Sequence, residues 1–347
     1  MWDYLKKNDK PLVLYGTGNA CERIIAELNA RDIKISGIFA SDGFVRDRSF
    51  AGYKVKSYDE CKKEFGDMTV LLCFGSHLPN VLDNIKTINE EQELYAPDLP
   101  VVGEGLFTPQ YFEAHKDDIA DLLCILADQK SRDVLEDVIR YRLSGKIDYL
   151  LECETDDYQN WSLLNLGPDE IYVDLGAYTG DTISDFVGLC GEYRFIYAFE
   201  PEERNFRKLF ENTKELENIC LANAAVGSED KMIMFTHGVG RGGANGKGKT
   251  RPVDQVALDS YFEDQLISGD GCPSFIKMDL EGAEEEALCG AEKVIAWNKP
   301  KMLIAAYHRI DDLWVLPKKL LSINPSYKIY LRKSPCLPCW EVNYYCV

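Results

Sequence analysis

Val173 to Thr182 reads VDLGAYTGDT, and its residue types and spacing are those of a ligand-holding turn. An apolar strand runs into Gly176, Gly180 follows, and a helix-like stretch opens at Asp181 and Thr182. Glycine lets the chain turn sharply and lets backbone approach a ligand closely. The spacing G-x-x-x-G is not the G-x-G-x-x-G of dinucleotide sites, so a small cationic cofactor such as S-adenosylmethionine fits better than a pyrophosphate. Asp174 is placed to orient the amino-acid end of such a cofactor. Taken alone, the segment also reads as a plain strand-to-helix turn. A second signal lifts it above that reading: AFEP puts Glu200 at the end of the next strand, where a carboxylate can accept both ribose hydroxyls.

The third signal is IKMDLEGAEEEAL, with Asp279 and Glu281 at the carboxyl end of a later strand. Ligands of such sheets bind in the crevice at that edge. Glu281 also suits the first turn of the following helix, where a carboxylate complements the dipole. His308 ends the next strand, KMLIAAYH. A lone histidine is more often structural, but this one sits at the mouth of the same crevice and titrates near neutral pH. His308 or Glu281 is the expected general base, and Asp279 the group that orients cofactor or substrate. Asp311 and Asp312 read as caps of the next helix in preference to sugar-binding groups. No spacing compels a metal, so none is expected. The lone Cys336-x-x-Cys339 lacks the second pair that a zinc site usually needs.

These residues need elements to hold them. Residues 11–100 alternate strand-like runs (LVLYG, KISGIFASD, MTVLLCFG) with helix-like ones (NACERIIAELNARD, HLPNVLDNIKTIN), which implies a small parallel, Rossmann-like unit. Residues 106–165 carry helical periodicity and heavy charge, and read as a helical connector that could act as a lid. From residue 166 the alternation restarts and predicts a doubly wound α/β domain. Its last two strands, YKIYLR and EVNYYCV, are joined by too few residues for a parallel crossover, so the final strand is expected to be antiparallel. That is the outline of a class I methyltransferase. The division expected is therefore 1–105, 106–165 and 166–347.

Composition narrows the partners. The 347 residues carry 39 Lys and Arg against 58 Asp and Glu, a net charge of −19. Such a balance works against nucleic acid and anionic membranes, whose binding rests on neutralising phosphates. No signal-peptide pattern opens the chain, no apolar run is long enough to span a bilayer, and the scattered cysteines read as free thiols of a cytoplasmic protein. One segment runs against the charge. Gly238–Arg251 holds six glycines and four basic residues. It reads first as a surface loop. The sharper reading is a lid whose Arg241, Lys247 and Arg251 meet an anionic group.

VDLGAYTGDT, AFEP, ANAAVG, QVALDSYF, IKMDLEGAEEEALCGAEKVI and the IAAYH…LWVLPKKLLSINPSYKIYLR tail together resemble the FkbM family of S-adenosylmethionine-dependent methyltransferases. The resemblance covers roughly residues 165–347. It implies a class I fold and methyl transfer, usually to an oxygen of a sugar, polyketide or similar metabolite. By that resemblance Asp174, Gly176, Ala177, Tyr178, Gly180, Asp181, Thr182, Glu200 and Pro201 line the cofactor with Asp279, and Asn223, Ala224 and Ala225 lie along its adenine. The expected acceptor is a small molecule or carbohydrate.

The N-terminal GTGNACE is a weaker signature. Gly16 and Gly18 match a dinucleotide loop, Cys21 stands where its third glycine belongs, and Asp42 lies where a ribose-binding acid is expected. The unit resembles the small nucleotide-binding domain of some sugar-modifying enzymes, which would hold a nucleotide-sugar. It reads equally as scaffold. Two rivals to methyl transfer follow: a nicotinamide- or nucleotide-sugar-dependent enzyme working at Gly16–Gly18, and a non-catalytic binding protein that kept the fold. Tyr158 and Trp161 suit stacking on a sugar ring but more simply pack.

Overall fold

The computed structural model describes residues 1–41, 43, 45, 49–236 and 250–347. Its first part is a six-stranded sheet: β1 (Leu12–Tyr15), β2 (Gly37–Phe39), β3 (Ser49–Phe50), β4 (Tyr53–Lys56), β5 (Thr69–Leu72) and β6 (Glu93–Tyr95). The order is β3-β4-β2-β1-β5-β6, parallel throughout except for β3 against β4. β1 and β5 are buried along their whole length, as strands covered by helices on both faces must be. The short β3, β4 and β6 are strands that the hydrophobic pattern of the sequence did not reveal.

Helices follow. The longest, Gln129–Ser144, is capped by Asp128, whose side chain accepts the Ser131 amide at 2.8 Å, and ends at Gly145 in the left-handed conformation. Val134, Leu135, Val138 and Tyr141 form its buried stripe. A lid must be free to move, and this helix is not. Ser131 is fully buried and its hydroxyl accepts the Leu331 amide at 3.0 Å, while Asp128 pairs with Arg332 at 2.5 Å. The connector is thus packed into the same core as the domain that follows it.

The last part is a seven-stranded sheet of β7 (Ile171–Leu175), β8 (Phe195–Phe199), β9 (Ile219–Ala222), β13 (Phe275–Met278), β14 (Lys301–Ala305), β15 (Ile329–Lys333) and β16 (Val342–Cys346). Between them, β10 (Ala225–Val226), β11 (Lys231–Thr236) and β12 (Thr250–Val256) form a small separate sheet. The large sheet runs β15-β16-β14-β13-β7-β8-β9, and β16 lies antiparallel between β14 and β15. This is a class I methyltransferase sheet. KMIMF therefore joins β12, not the main sheet. The charged, proline-containing β12 carried no strand signal. From β7 the chain winds outward through β8 and β9, then crosses to β13 on the other side. That reversal opens a crevice at the carboxyl ends of β7 and β13.

The segment joining the first sheet to the helices crosses this edge. Val102 donates its amide to the His308 carbonyl at 3.0 Å. Arg142 fixes the segment from below: its guanidinium reaches Asp98 at 2.8 Å and the Ile310 carbonyl at 2.9 Å, and lies over the Phe107 ring. No helix among the described residues is long and apolar enough to cross a membrane.

Candidate active site

The turn after β7 is built from backbone. Gly176 and Ala177 both donate to the Phe199 carbonyl at 3.0 Å, and Asp279 donates its amide to the Leu175 carbonyl at 3.0 Å. Gly176 takes a φ of +83°, and a Cβ there would stand 1.9 Å from the Asp279 carbonyl oxygen. The two strand ends meet at a point where no side chain fits. Gly180, at φ +87°, opens the helix Asp181–Cys190. Gly176→Ala is expected to cost about 2–5 kcal/mol, summing left-handed strain with a clash against backbone. Gly188→Ala, in the interior of that helix with nothing near its Cβ position, should be neutral or slightly stabilising. Thermal melts of the two variants check the contrast.

Beneath the turn lies a buried charge pair. Asp174 is fully buried, and the Lys277 ammonium sits 3.2 Å from its Oδ1. The same ammonium donates to the Gly176 carbonyl at 3.0 Å. Burial pushes the Asp174 carboxyl up, and the Lys277 charge opposes that. Asp174 therefore does not face the crevice. It pairs with Lys277, which ties it to the turn.

Glu200 follows β8 and is almost wholly buried. Its Oε2 accepts the Tyr178 amide at 3.0 Å and its Oε1 the Glu202 amide at 2.7 Å. Burial pushes its carboxyl up to about 7, against the pull of these two amides. Asn223 donates to the Glu200 carbonyl at 2.7 Å, so the end of β9 is tied to the end of β8. Ala224 and Ala225 are buried beside it, while Tyr178 is half exposed at the rim and Asp181 is exposed. Arg251 reaches the Pro201 carbonyl at 2.6 Å and Glu203 at 2.7 Å, next to this end of the crevice. Arg241 and Lys247 lie outside the described residues, as does Asp42.

At the β13 and β14 ends the carboxylates close around one ring. His308 is fully buried, with Glu284 2.9 Å from Nδ1, and Asp279 3.3 Å and Glu281 3.7 Å from Nε2. Burial lowers the basicity of this imidazole. Asp279 and Glu284 more than reverse that and push it up to about 10. The ring is thus held between carboxylates that favour its charged form, rather than standing free at the crevice mouth. Glu281 stands at the mouth with φ +52°, a conformation side chains other than glycine adopt at a cost. Asp312 is buried and accepts the Arg309 amide at 2.7 Å, a structural bond at the start of its helix. Burial first, then Glu284, pushes its carboxyl up to about 7.

Residues 174–327 match the family model described as Methyltransferase FkbM domain. The domain belongs to the FkbM methyltransferase family. Over its whole length the chain is similar in fold to the crystal structure of methyltransferase FkbM from Methylobacillus flagellatus KT, with a TM-score of 0.72, 22% identity, and 92% of that chain covered. Precorrin-6y C5,15-methyltransferase from Geobacter metallireducens GS-15 aligns at a TM-score of 0.34 and 14% identity, over 55% of this chain and 84% of that one. No curated protein sequence matches the chain.

In the FkbM domain the residues expected at the cofactor gather along one edge, from Gly176 through Glu200 to Asn223. Asp279, Glu281 and His308 gather at the adjoining strand ends. Three participants escaped the sequence reading: Lys277, Glu284 and Tyr307, whose hydroxyl lies 3.4 Å from Asp279. A lysine inside the apolar run SFIKMDL was a legible sign of a buried partner. Glu284 and Tyr307 gave none.

Gly16 and Gly18 lie apart from this edge, at the carboxyl end of β1. A Cβ on Gly16 would meet the Phe74 ring at 2.6 Å, so that glycine seats an aromatic side chain where a pyrophosphate would approach. Gly75 is covered in the same way by Trp340, from the far end of the chain. Within GTGNACE the close contact is at Gly16, while a Cβ on Gly18 would meet nothing within 4 Å.

Proposed function

We propose that this chain transfers a methyl group from S-adenosylmethionine to a hydroxyl oxygen of a small molecule, sugar or glycan. The observation that carries the reading is Glu200, a nearly buried carboxylate at the end of β8 with the Gly176–Gly180 turn folded against it. The residues fit the cofactor. Gly176 leaves backbone bare where a side chain would clash, and Glu200 offers a desolvated acceptor to a diol. Bound there, S-adenosylmethionine supplies an electrophilic methyl group on a sulfonium.

The protein's own part is then mainly placement. Holding acceptor and donor in line is worth about 7–11 kcal/mol of the barrier. Asp279 and Glu281, at the β13 end, orient the acceptor hydroxyl and receive its proton. His308, carrying a positive charge between Asp279 and Glu284, keeps those carboxylates ionised and fixed. The N-terminal unit, through Val102, walls the side of the crevice near His308.

Glu200 gives the reading a pH signature. An ionised carboxylate is the better acceptor for ribose hydroxyls, and this one is half protonated at about 7. Affinity for S-adenosylhomocysteine is expected to hold above pH 8 and to fall toward tenfold per unit below pH 7, the limit for one linked proton. Calorimetry across this range checks it. Glu200→Gln should bind weakly and lose the pH dependence. A wild-type affinity flat from pH 5 to 8, or an unchanged affinity in Glu200→Gln, would refute the assignment. Tight NAD(H) binding with none for S-adenosylhomocysteine would favour the nicotinamide reading instead.

A further inference from the structure

Three carboxylates, Glu284, Glu285 and Glu286, share the first turn of the helix Glu284–Cys289, and their surroundings differ. Glu285 and Glu286 are exposed, while Glu284 is 1% exposed. A carboxylate at a helix start complements the dipole, and the two exposed ones already do so. Burying a third is unfavourable unless it finds partners of its own. Glu284 has two, and they meet at one oxygen. Its Oε1 accepts the Leu280 amide at 2.7 Å and stands 2.9 Å from His308 Nδ1. Its Oε2 makes no hydrogen bond. Leu280 belongs to the turn that leaves β13, and His308 lies just past β14. A single buried atom thus joins the two strand ends.

The turn needs such a tie. Glu281 and Gly282 take φ of +52° and +95°, and at Glu281 that conformation carries a cost. From the β14 side the Arg309 Nε donates to the Gly282 carbonyl at 2.6 Å. Leu280 lies between Asp279 and Glu281, so fixing its amide fixes where both side chains leave the backbone. The His308 ring then faces those same two side chains, with Asp279 3.3 Å and Glu281 3.7 Å from Nε2. Glu284 is therefore linked to the pair twice, through the backbone between them and through the ring they face.

We propose that Glu284 is a positioning residue, which through Oε1 sets the place of the Asp279–Glu281 turn and the orientation of the His308 ring. Being buried, it acts through these groups and not on a ligand. In IKMDLEGAEEEAL nothing separates it from the two glutamates that follow; only the fold does. What the placed carboxylates do rests on the methyl-transfer reading, in which they orient the acceptor hydroxyl and receive its proton. That Glu284 places them does not.

The test uses two conservative variants of the full-length protein. Glu284→Gln keeps the reach of the side chain and removes its charge, and Glu284→Asp keeps the charge and shortens the reach. Hydrogen exchange reads the Leu280 amide. Long-range proton–nitrogen NMR with labelled histidine reads the His308 ring among the four histidines of the chain. Glu284→Asp should speed Leu280 exchange at least about tenfold relative to the Ile276 amide within β13, the local opening expected when one buried hydrogen bond is lost. Glu284→Gln should leave Leu280 protected, because an amide oxygen still accepts, and should shift the His308 nitrogen resonances, because the ring loses its charged partner. Glu285→Gln, at the exposed neighbour, should move neither. Leu280 exchange at the wild-type rate in Glu284→Asp, or unmoved His308 resonances in Glu284→Gln, would overturn the proposal. Absence of S-adenosylhomocysteine binding to the wild type would sink the methyl-transfer reading instead, with the exchange and resonance results still deciding the role of Glu284.

Discussion

Lys277→Ala should lower the unfolding free energy by about 3–5 kcal/mol, the usual cost of removing one partner of a buried ion pair. The physical reason is what remains. Asp174 has no exposure at all, so its carboxylate cannot recover water when the ammonium is lost. It must either stay charged in an apolar strand or take up a proton. The Gly176 carbonyl loses its donor in the same change. Urea denaturation measures the effect. A Lys277→Met, Asp174→Asn double variant should recover much of it, because no isolated charge is then buried. The turn would still lack its tie to β13, so affinity for S-adenosylhomocysteine should remain low in the double variant even where stability returns. A loss below 1 kcal/mol in Lys277→Ala would mean that the pair is not the support of the turn.

Asp279→Asn should reduce kcat by about 10²–10⁴-fold, the range for loss of a positioned proton acceptor. We assign this role to Asp279 and Glu281 in preference to His308. Two carboxylates favour the charged form of that ring, which disfavours it as the acceptor of a hydroxyl proton. Asp279 lies between that ring and the Gly176 turn, at the meeting point of the donor and acceptor sides. The substitution keeps shape and removes charge. Asp279 is partly exposed and Glu284 stays on the ring, so the melting temperature should fall less than in Lys277→Ala, and single-turnover kinetics should place the loss in the chemical step. An unchanged kcat would remove Asp279 from the proton path and leave Glu281 as its bearer.

Much of this site was legible before folding because strand ends are legible. An apolar run that stops at glycine or at a carboxylate marks where a parallel strand leaves the sheet. In a doubly wound domain those points share one edge. VDLG, AFEP and IKMDLEG therefore announced Gly176, Glu200 and Asp279 as neighbours, although about a hundred residues separate the first from the last. The antiparallel final strand was legible for a similar reason, since a short connection cannot make a parallel crossover.

Which way a side chain points at those ends was not legible. Asp174 and Asp279 both stand at strand ends, yet one is sealed under the turn and the other is partly exposed in the crevice. Strand alternation sends neighbouring side chains to opposite faces, and only the packed sheet decides which face is covered. The same holds for His308. The sequence offers an ordinary imidazole, and the fold brings Glu284 from the helix after β13 and Asp279 from the end of β13 against it, which favours its charged form. Gly16 of GTGNACE shows the converse, where a position in a ligand-like pattern packs against Phe74. Sequence alone determined the alternation of the main strands and helices, the sheet edge and the chemical types gathered there, because these follow from local periodicity and connection length. Tertiary structure alone decided which of those groups are desolvated and paired, because burial and charge are properties of neighbours distant along the chain.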